Sequence, residues 1–133
     1  MKKFPCMIFI IIIIMNFASC VTTGSDQSPK NALNWAGTYK GTIPAASSPG
    51  IRVEMTLNTD STYKVIYEYI DRGNDAVVYI GYFAWNRAGN MITLNSKEIP
   101  VFYTVEENRL IQLDMNRKKI TGELADLYIL KKQ

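Results

Sequence analysis

The chain has 133 residues, a net charge of +3 and no histidine. This length suits one domain rather than two. The cysteines are Cys6 and Cys20, so the body of the chain has no thiol for a disulfide, a metal or a nucleophile. No phosphate-binding glycine loop is present either, and composition therefore argues against the common catalytic classes and predicts no cofactor and no metal site.

The first residues have the outline of a secretory signal peptide. Lys2 and Lys3 form a short positive region, and the segment from Cys6 to Met15 is entirely apolar. This apolar run is about half of the roughly 20 residues that a membrane-spanning helix requires. Residues 1–19 are therefore predicted to be a signal peptide and are set apart from the fold.

The segment Ala18-Ser19-Cys20 resembles a bacterial lipobox, in which cleavage precedes a cysteine that is then acylated. Phe17 stands where leucine is usual, and an ordinary cleaved signal or an uncleaved anchor are the alternatives. We predict lipidation at Cys20, for instance with palmitate, and an exported protein anchored to the cell envelope, with the outer membrane favoured. Loss of Lys2 and Lys3 lowers the net charge of +3 by two, which leaves no electrostatic footprint for nucleic acid.

Residues 20–34 are polar and rich in turn formers, and they are predicted to be a tether between the lipid and a domain spanning residues 35–133. The domain opens with two alternating runs, Trp35–Ile43 and Ile51–Asn58. A loop of small residues, Pro44–Gly50, joins them. Period-two alternation predicts strands with one buried and one wet face, and we expect this loop at the mouth of a barrel.

Six further strand-length segments follow, separated by turn residues, and none shows a helical stripe. They are Thr62–Ile70, Ala76–Asn86, Met91–Asn95, Pro100–Val105, Arg109–Asp114 and Ala125–Lys132. The fourth strand is apolar on both faces, so we expect either that both sides are covered or that a bulge near Gly81 switches them. The fold class predicted is all-β, a small antiparallel, lipocalin-like up-and-down barrel of about eight strands, closed by its first and last strands.

Two features could form a binding site. The first loop could contact a partner or ligand through Pro44, Ser47, Ser48 and Gly50. The alternative, which we favour, is a connection in which two prolines shape a turn. Aromatic residues of the strands could line a pocket for an apolar molecule, namely Tyr63, Tyr67, Tyr79 and Trp85. The alternative is that they fill the core, since barrels of this size either pack solid or hold one small ligand.

Short segments in a fixed order carry a family resemblance. They include Trp35-Ala36-Gly37-Thr38-Tyr39-Lys40-Gly41, Pro49-Gly50-Ile51, Trp85, Gly89-Asn90, Ile92-Thr93-Leu94, Asn108-Arg109-Leu110 and Tyr128-Ile129-Leu130-Lys131. From Trp35 to its end the chain resembles the N-terminal domain of the NlpE family, outer-membrane lipoproteins linked to copper resistance and envelope-stress signalling. The resemblance implies a barrel, a lipid anchor, a non-enzymatic role, and binding of an envelope partner or reporting of envelope stress. A lipocalin-like carrier of a small apolar ligand is the alternative.

The chain departs from this family at the first loop. The family has Pro-Cys-x-x-Cys there, whereas this chain has Ala45 and Ser48 at the cysteine positions after Pro44. Neither residue supplies the thiolate that Cu(I) prefers. The second, OB-like domain of longer members is also expected to be absent. Copper binding is therefore not carried over, and oligomeric state, orientation and ligand identity stay open.

Overall fold

The computed structural model describes residues 27–73 and 75–133. The predicted signal peptide, Cys20 and the first part of the predicted tether lie outside these residues. Among the residues described, no helix combines the length and the apolar character needed to cross a bilayer.

Eight antiparallel strands form one closed barrel in which each strand pairs with its neighbours in the sequence. The strands are β1 (Gly37–Ile43), β2 (Ile51–Leu57), β3 (Thr62–Tyr69), β4 (Ala76–Trp85), β5 (Met91–Leu94), β6 (Phe102–Glu106), β7 (Arg109–Gln112) and β8 (Ile129–Lys132). The predicted up-and-down barrel is confirmed, with strand ends differing by one to four residues. Because the strands alternate in direction, the loop residues 44–50, 70–73, 95–101 and 113–124 lie at one end, here called the mouth.

The barrel closes where β1 meets β8. Tyr39 lies opposite Lys132, and Lys40 lies opposite Lys131. Gly41 makes this seam possible, because a Cβ there would lie 2.8 Å from the carbonyl oxygen of Ile129. Closure removes the exposed edges that β1 and β8 would otherwise present.

Alternate residues of the strands fill the interior, as the period-two pattern predicts. On β2, Val53, Met55 and Leu57 are all buried. Their partners on the adjacent strand β3 point into the same interior: Tyr67, Val65 and Tyr63. Each fully buried side chain of this size contributes about 1.5–3 kcal/mol relative to its exposed state. A domain without disulfides among its described residues is thus held together by a packed apolar core.

The end opposite the mouth, here called the base, is sealed by aromatic residues and a short helix. The rings of Trp35 and Trp85 meet edge to face at 5.3 Å, and Trp35 meets Phe83 at 5.8 Å. Helix α1 (Pro29–Ala32) is held against the barrel because the indole of Trp35 donates to the carbonyl of Lys30 at 3.0 Å. The predicted tether therefore ends in a helix that is fixed to the barrel.

The prediction of a strand over Ala125–Lys132 is wrong in its first half. Residues Ala125–Tyr128 form a 3₁₀ turn, with the Leu127 amide donating to the Leu124 carbonyl at 3.0 Å, and β8 begins only at Ile129. Over four residues, alternation of apolar and polar side chains does not distinguish a strand from such a turn. Alanine and aspartate, which have low β propensity, were the available signal.

The prediction for β4 is also wrong. Its register with β3 continues through Gly81 without a bulge, from Thr62 opposite Tyr82 to Glu68 opposite Ala76. Its outward face is not covered, since the side chain of Ile80 is 75% exposed. Outward side chains of a barrel strand point to solvent, and those of β4 stay exposed there; separately, β5 pairs only with the last part of β4.

Candidate functional site

A small cavity opens at the mouth between the ends of the first four strands and the loop 95–101. Its volume is about 170 Å³, and it is lined by Ile43, Ile51, Tyr67, Tyr69, Val77, Tyr79, Glu98, Ile99 and Pro100. The rings of Tyr67 and Tyr79 form one wall and meet edge to face at 5.9 Å. Pockets for drug-sized molecules usually have volumes of roughly 300–1,000 Å³, so this cavity admits only a small molecule. Below it, the interior is packed.

Two tyrosine hydroxyls lie in this packed interior. The hydroxyls of Tyr67 and Tyr103 are buried, and neither makes a hydrogen bond of good geometry with a described residue. Burial raises the pKa of Tyr67 to about 12, and burial also raises the pKa of Tyr103 well above its usual value of 10.0. Both phenols therefore stay neutral at physiological pH, and their hydroxyls are enclosed by the packed interior.

The structure brings two of the four predicted aromatic residues to the cavity. Tyr67 and Tyr79 line it. Tyr63 lies deeper on β3, with its ring 3.0 Å from where a Cβ on Gly81 would sit, and burial raises the pKa of its hydroxyl. Trp85 lies at the base, packed on Trp35, because it is the last residue of β4 and the strand begins at the mouth with Ala76.

Sequence reasoning missed the loop residues that cover the cavity. Ile99 is 8% exposed although it lies outside every strand. An isoleucine between Glu98 and Pro100, within an otherwise polar connection, was the available signal. An apolar residue in such a loop is stable only when it packs onto something, which here is the inward face of β1 to β4.

The predicted contact loop Pro44–Gly50 lies at the mouth, as expected. Its polar atoms are largely used within the turn, since the Ser48 hydroxyl donates to the Gly50 carbonyl at 2.9 Å and accepts from the Gly50 amide at 3.2 Å. The Gly50 carbonyl also accepts from the Ile70 amide at 3.2 Å, and a Cβ on Gly50 would lie 2.9 Å from a methyl group of Thr42. The Arg72 guanidinium lies 3.5 Å from the exposed Ser47 hydroxyl. The loop is thus a fixed surface rather than a set of free polar groups.

Two apolar grooves extend this surface. One, of about 360 Å³, runs between the first loop and the 3₁₀ turn and is lined by Thr42, Ile43, Pro44, Ala45, Pro49, Leu124 and Leu127. The other, of about 700 Å³, runs between the loop 95–101 and the segment after β7 and includes Pro100, Val101, Leu113, Met115 and Ile120. Leu124, Leu127 and Met115 are 52%, 46% and 79% exposed. The mouth therefore presents apolar side chains to solvent around a rigid loop, here called the mouth surface.

The carboxylates do not assemble into a reactive group. Glu106 is committed to ion pairs with Arg109, whose Nε donates to it at 2.7 Å, and with Lys119, whose Nζ lies at 3.6 Å. Within residues 27–73 and 75–133 no group of three or more histidine, cysteine, aspartate or glutamate side chains is placed to hold a metal. Of the two positions at which the family has cysteines, Ser48 is engaged in its own turn and Ala45 lines the first groove.

Comparison with known proteins gives a consistent assignment. The model of the NlpE N-terminal domain matches residues 39–123. A candidate lipoprotein from Shewanella oneidensis has a solved structure with a TM-score of 0.74 and 38% sequence identity, covering 80% of this chain and 95% of that chain. No curated protein matches the chain.

A second solved structure extends the comparison of folds. The Cpx pathway activator NlpE from Escherichia coli has a TM-score of 0.55 and 21% identity, covering 65% of this chain and 46% of that chain. At this identity the likeness concerns the fold alone. The chain spans less than half of the length of that protein, so nothing about the activator as a whole follows for it.

Proposed function

The chain belongs to the NlpE N-terminal domain family, a family of envelope lipoproteins linked to envelope stress, and on that premise we propose that it is a lipid-anchored, non-catalytic protein that acts by binding an envelope protein. The lipid is carried by Cys20, and the membrane favoured is the outer membrane. The barrel reports envelope state through the partner that it contacts. The mouth surface is the contact site.

The observation that carries this proposal is the contrast between the interior and the mouth. The interior is packed, and among the described residues its polar side chains are tyrosines and Gln112 rather than acids, bases or nucleophiles. The mouth surface combines exposed apolar side chains with a loop whose backbone is fixed by Ser48 and Gly50. A rigid loop loses little entropy on binding, which favours protein contact there. Exposed apolar groups rimmed by polar ones are typical of interaction sites.

Site-specific photocrosslinking in cells tests this proposal. A photoreactive amino acid at Ser47, which is exposed in the mouth loop, should trap one protein of defined mass in the envelope. The same amino acid at Glu107, which is exposed in the turn at the base, is the matched control and should trap none. Equal trapping from both positions, or none from Ser47, would contradict the assignment of the mouth surface.

The mouth cavity favours one second candidate, a carrier of a small molecule. A ligand that reaches into the 170 Å³ cavity would lie against apolar side chains and the rings of Tyr67 and Tyr79. The ligand class would be a small apolar molecule. Native mass spectrometry of the protein extracted from membranes should then show an adduct that is lost in Tyr79→Ala, which removes one aromatic wall, and kept in Tyr82→Ala, on an exposed side chain. A protein of unmodified mass would eliminate the carrier.

A further inference from the structure

One strand of the barrel has an open edge. β3 pairs with β4 over Ala76–Tyr82, whereas β5 pairs with β4 only over Phe83–Trp85. The Asn95 amide extends this contact by one residue, since it donates to the Tyr82 carbonyl at 2.9 Å, and the Asn95 side chain accepts from the Tyr82 amide at 2.7 Å. From Tyr82 back to Ala76, no described strand pairs with β4 on the β5 side.

The main-chain groups on this open side can be assigned from the register. The Phe83 amide donates to Ser61, on the β3 side, and the Tyr82 carbonyl accepts from the β5 side. Successive residues of a strand direct their N–H and C=O groups to opposite sides. The N–H and C=O groups of the even-numbered residues of β4 therefore point away from β3. The N–H and C=O groups of Ala76, Val78 and Ile80 therefore point to the open edge. Such a row is a template for a further strand.

The side chains along this edge are apolar and exposed. Val78 is 49% exposed, Ile80 is 75% exposed and Tyr82 is 65% exposed. Proteins usually protect an open edge with lysine, proline or a bulge, and Ala76–Trp85 has none of these. The outward face of β1 to β3 carries two ion pairs, Lys40 with Glu54 at 3.0 Å and Arg52 with Glu68 at 3.1 Å. β4 has no charged residue and continues neither pair.

We propose that the open edge of β4 pairs antiparallel with the same edge of a second copy of this chain. Charge is compatible with a second copy as the occupant, because the strand has no charged residue and sets no like charges against each other when it pairs with itself. A two-fold axis through Val78 places Val78 opposite Val78 of the second copy and Ala76 opposite Ile80 of the second copy. Every open N–H and C=O group of these residues then has a hydrogen-bond partner. This register makes about six main-chain hydrogen bonds and continues the sheet across two barrels.

Cysteine crosslinking in membranes tests both the partner and the register. In a hydrogen-bonded antiparallel pair the Cα atoms are about 5.5 Å apart, within the range of roughly 4.4–6.8 Å that a disulfide spans. Val78→Cys in the full-length chain should form a dimer under mild oxidation. Tyr82→Cys is the matched control, because it has a similar outward exposure but would lie about 26 Å from its own symmetry mate. The parent chain measures the background from Cys6 and Cys20.

A second substitution in the Val78→Cys chain tests whether the crosslink comes from pairing of the edges or from random encounters between copies in the membrane. Ile80→Lys in the Val78→Cys chain should reduce the dimer to the parental background, because it places charges on both sides of the pairing. Met115→Lys, at a similarly exposed apolar position away from the edge, should leave the dimer unchanged. No dimer from Val78→Cys, equal dimer from Tyr82→Cys, or a crosslink to a protein of another mass would overturn the proposal.

Discussion

Replacing Tyr67 by phenylalanine should change how stability depends on pH above 10. The folded-state pKa of Tyr67 is raised from 10.0 to about 12 because its hydroxyl is buried. Below pH 10 both folded and unfolded chains keep this proton, so it adds no pH dependence. Between pH 10 and 12 the unfolded chain releases the proton while the folded chain holds it, so the free energy of unfolding falls as pH rises.

The size of this effect follows from the shift. One pKa unit corresponds to about 1.4 kcal/mol, so Tyr67 accounts for a loss of roughly 3 kcal/mol between pH 10 and 12. Tyr67→Phe should remove that share of the loss. At pH 7 it should keep or raise stability, because a buried hydroxyl without a good partner costs about 1–3 kcal/mol. Tyr103, whose pKa is raised in the same direction, should retain its own share in the variant.

Urea unfolding of the detergent-solubilised chain, followed by fluorescence of Trp35 and Trp85, provides the measurement. The two tryptophans pack on each other at the base and lose this contact on unfolding. Tyr82→Phe, on a side chain that is 65% exposed, is the matched control. If the parent and Tyr67→Phe lost stability in parallel from pH 10 to 12, the Tyr67 hydroxyl would be hydrated and the packed interior would be refuted.

Three further predictions follow from single features. Gly41→Val should lower stability by about 1–3 kcal/mol in urea unfolding because its Cβ meets main chain at the seam, whereas Thr42→Ala on the exposed face should have little effect. The Asp60 carboxyl, whose pKa is lowered by hydrogen bonds from Thr62, should titrate closer to its usual value by NMR in Thr62→Val, and an unchanged value would contradict that cause. Titration with Cu(I) should show no tight site, and Ser48→Cys alone should not create one, since a single thiolate is a weak binding set; tight stoichiometric binding by the parent would contradict the argument.

Strand positions were predictable because alternation is a local property that burial enforces. Val53, Met55 and Leu57 fall on one face of β2 in any register that buries them, so the sequence pattern and the fold agree. The closure of β1 on β8 was predictable for the same reason, since an open eight-stranded sheet would leave two edges in water. The 3₁₀ turn before β8 was not, because four residues carry too short a pattern.

The site was less predictable than the fold because it depends on relative strand lengths. The sequence indicated that β4 was long and apolar on both faces, but it did not show where β5 would stop pairing. That stop leaves the main-chain edge of β4 at Val78 and Ile80 unpaired, on the strand that also contributes Tyr79 to the cavity. The loop residue Ile99 lines the same cavity but leaves the main-chain edge of β4 unpaired. Distances between strands that are remote in sequence decide these features, and no local pattern encodes them.

The amino-terminal peptide of the protein extracted from membranes tests the central proposal most directly. Mass spectrometry should find a chain that begins at Cys20 and carries acyl groups, and Cys20→Ser should lose both the acyl mass and the membrane association. A mature chain that begins elsewhere, or an unacylated Cys20 on a protein that still fractionates with membranes, would contradict a lipid-anchored envelope protein.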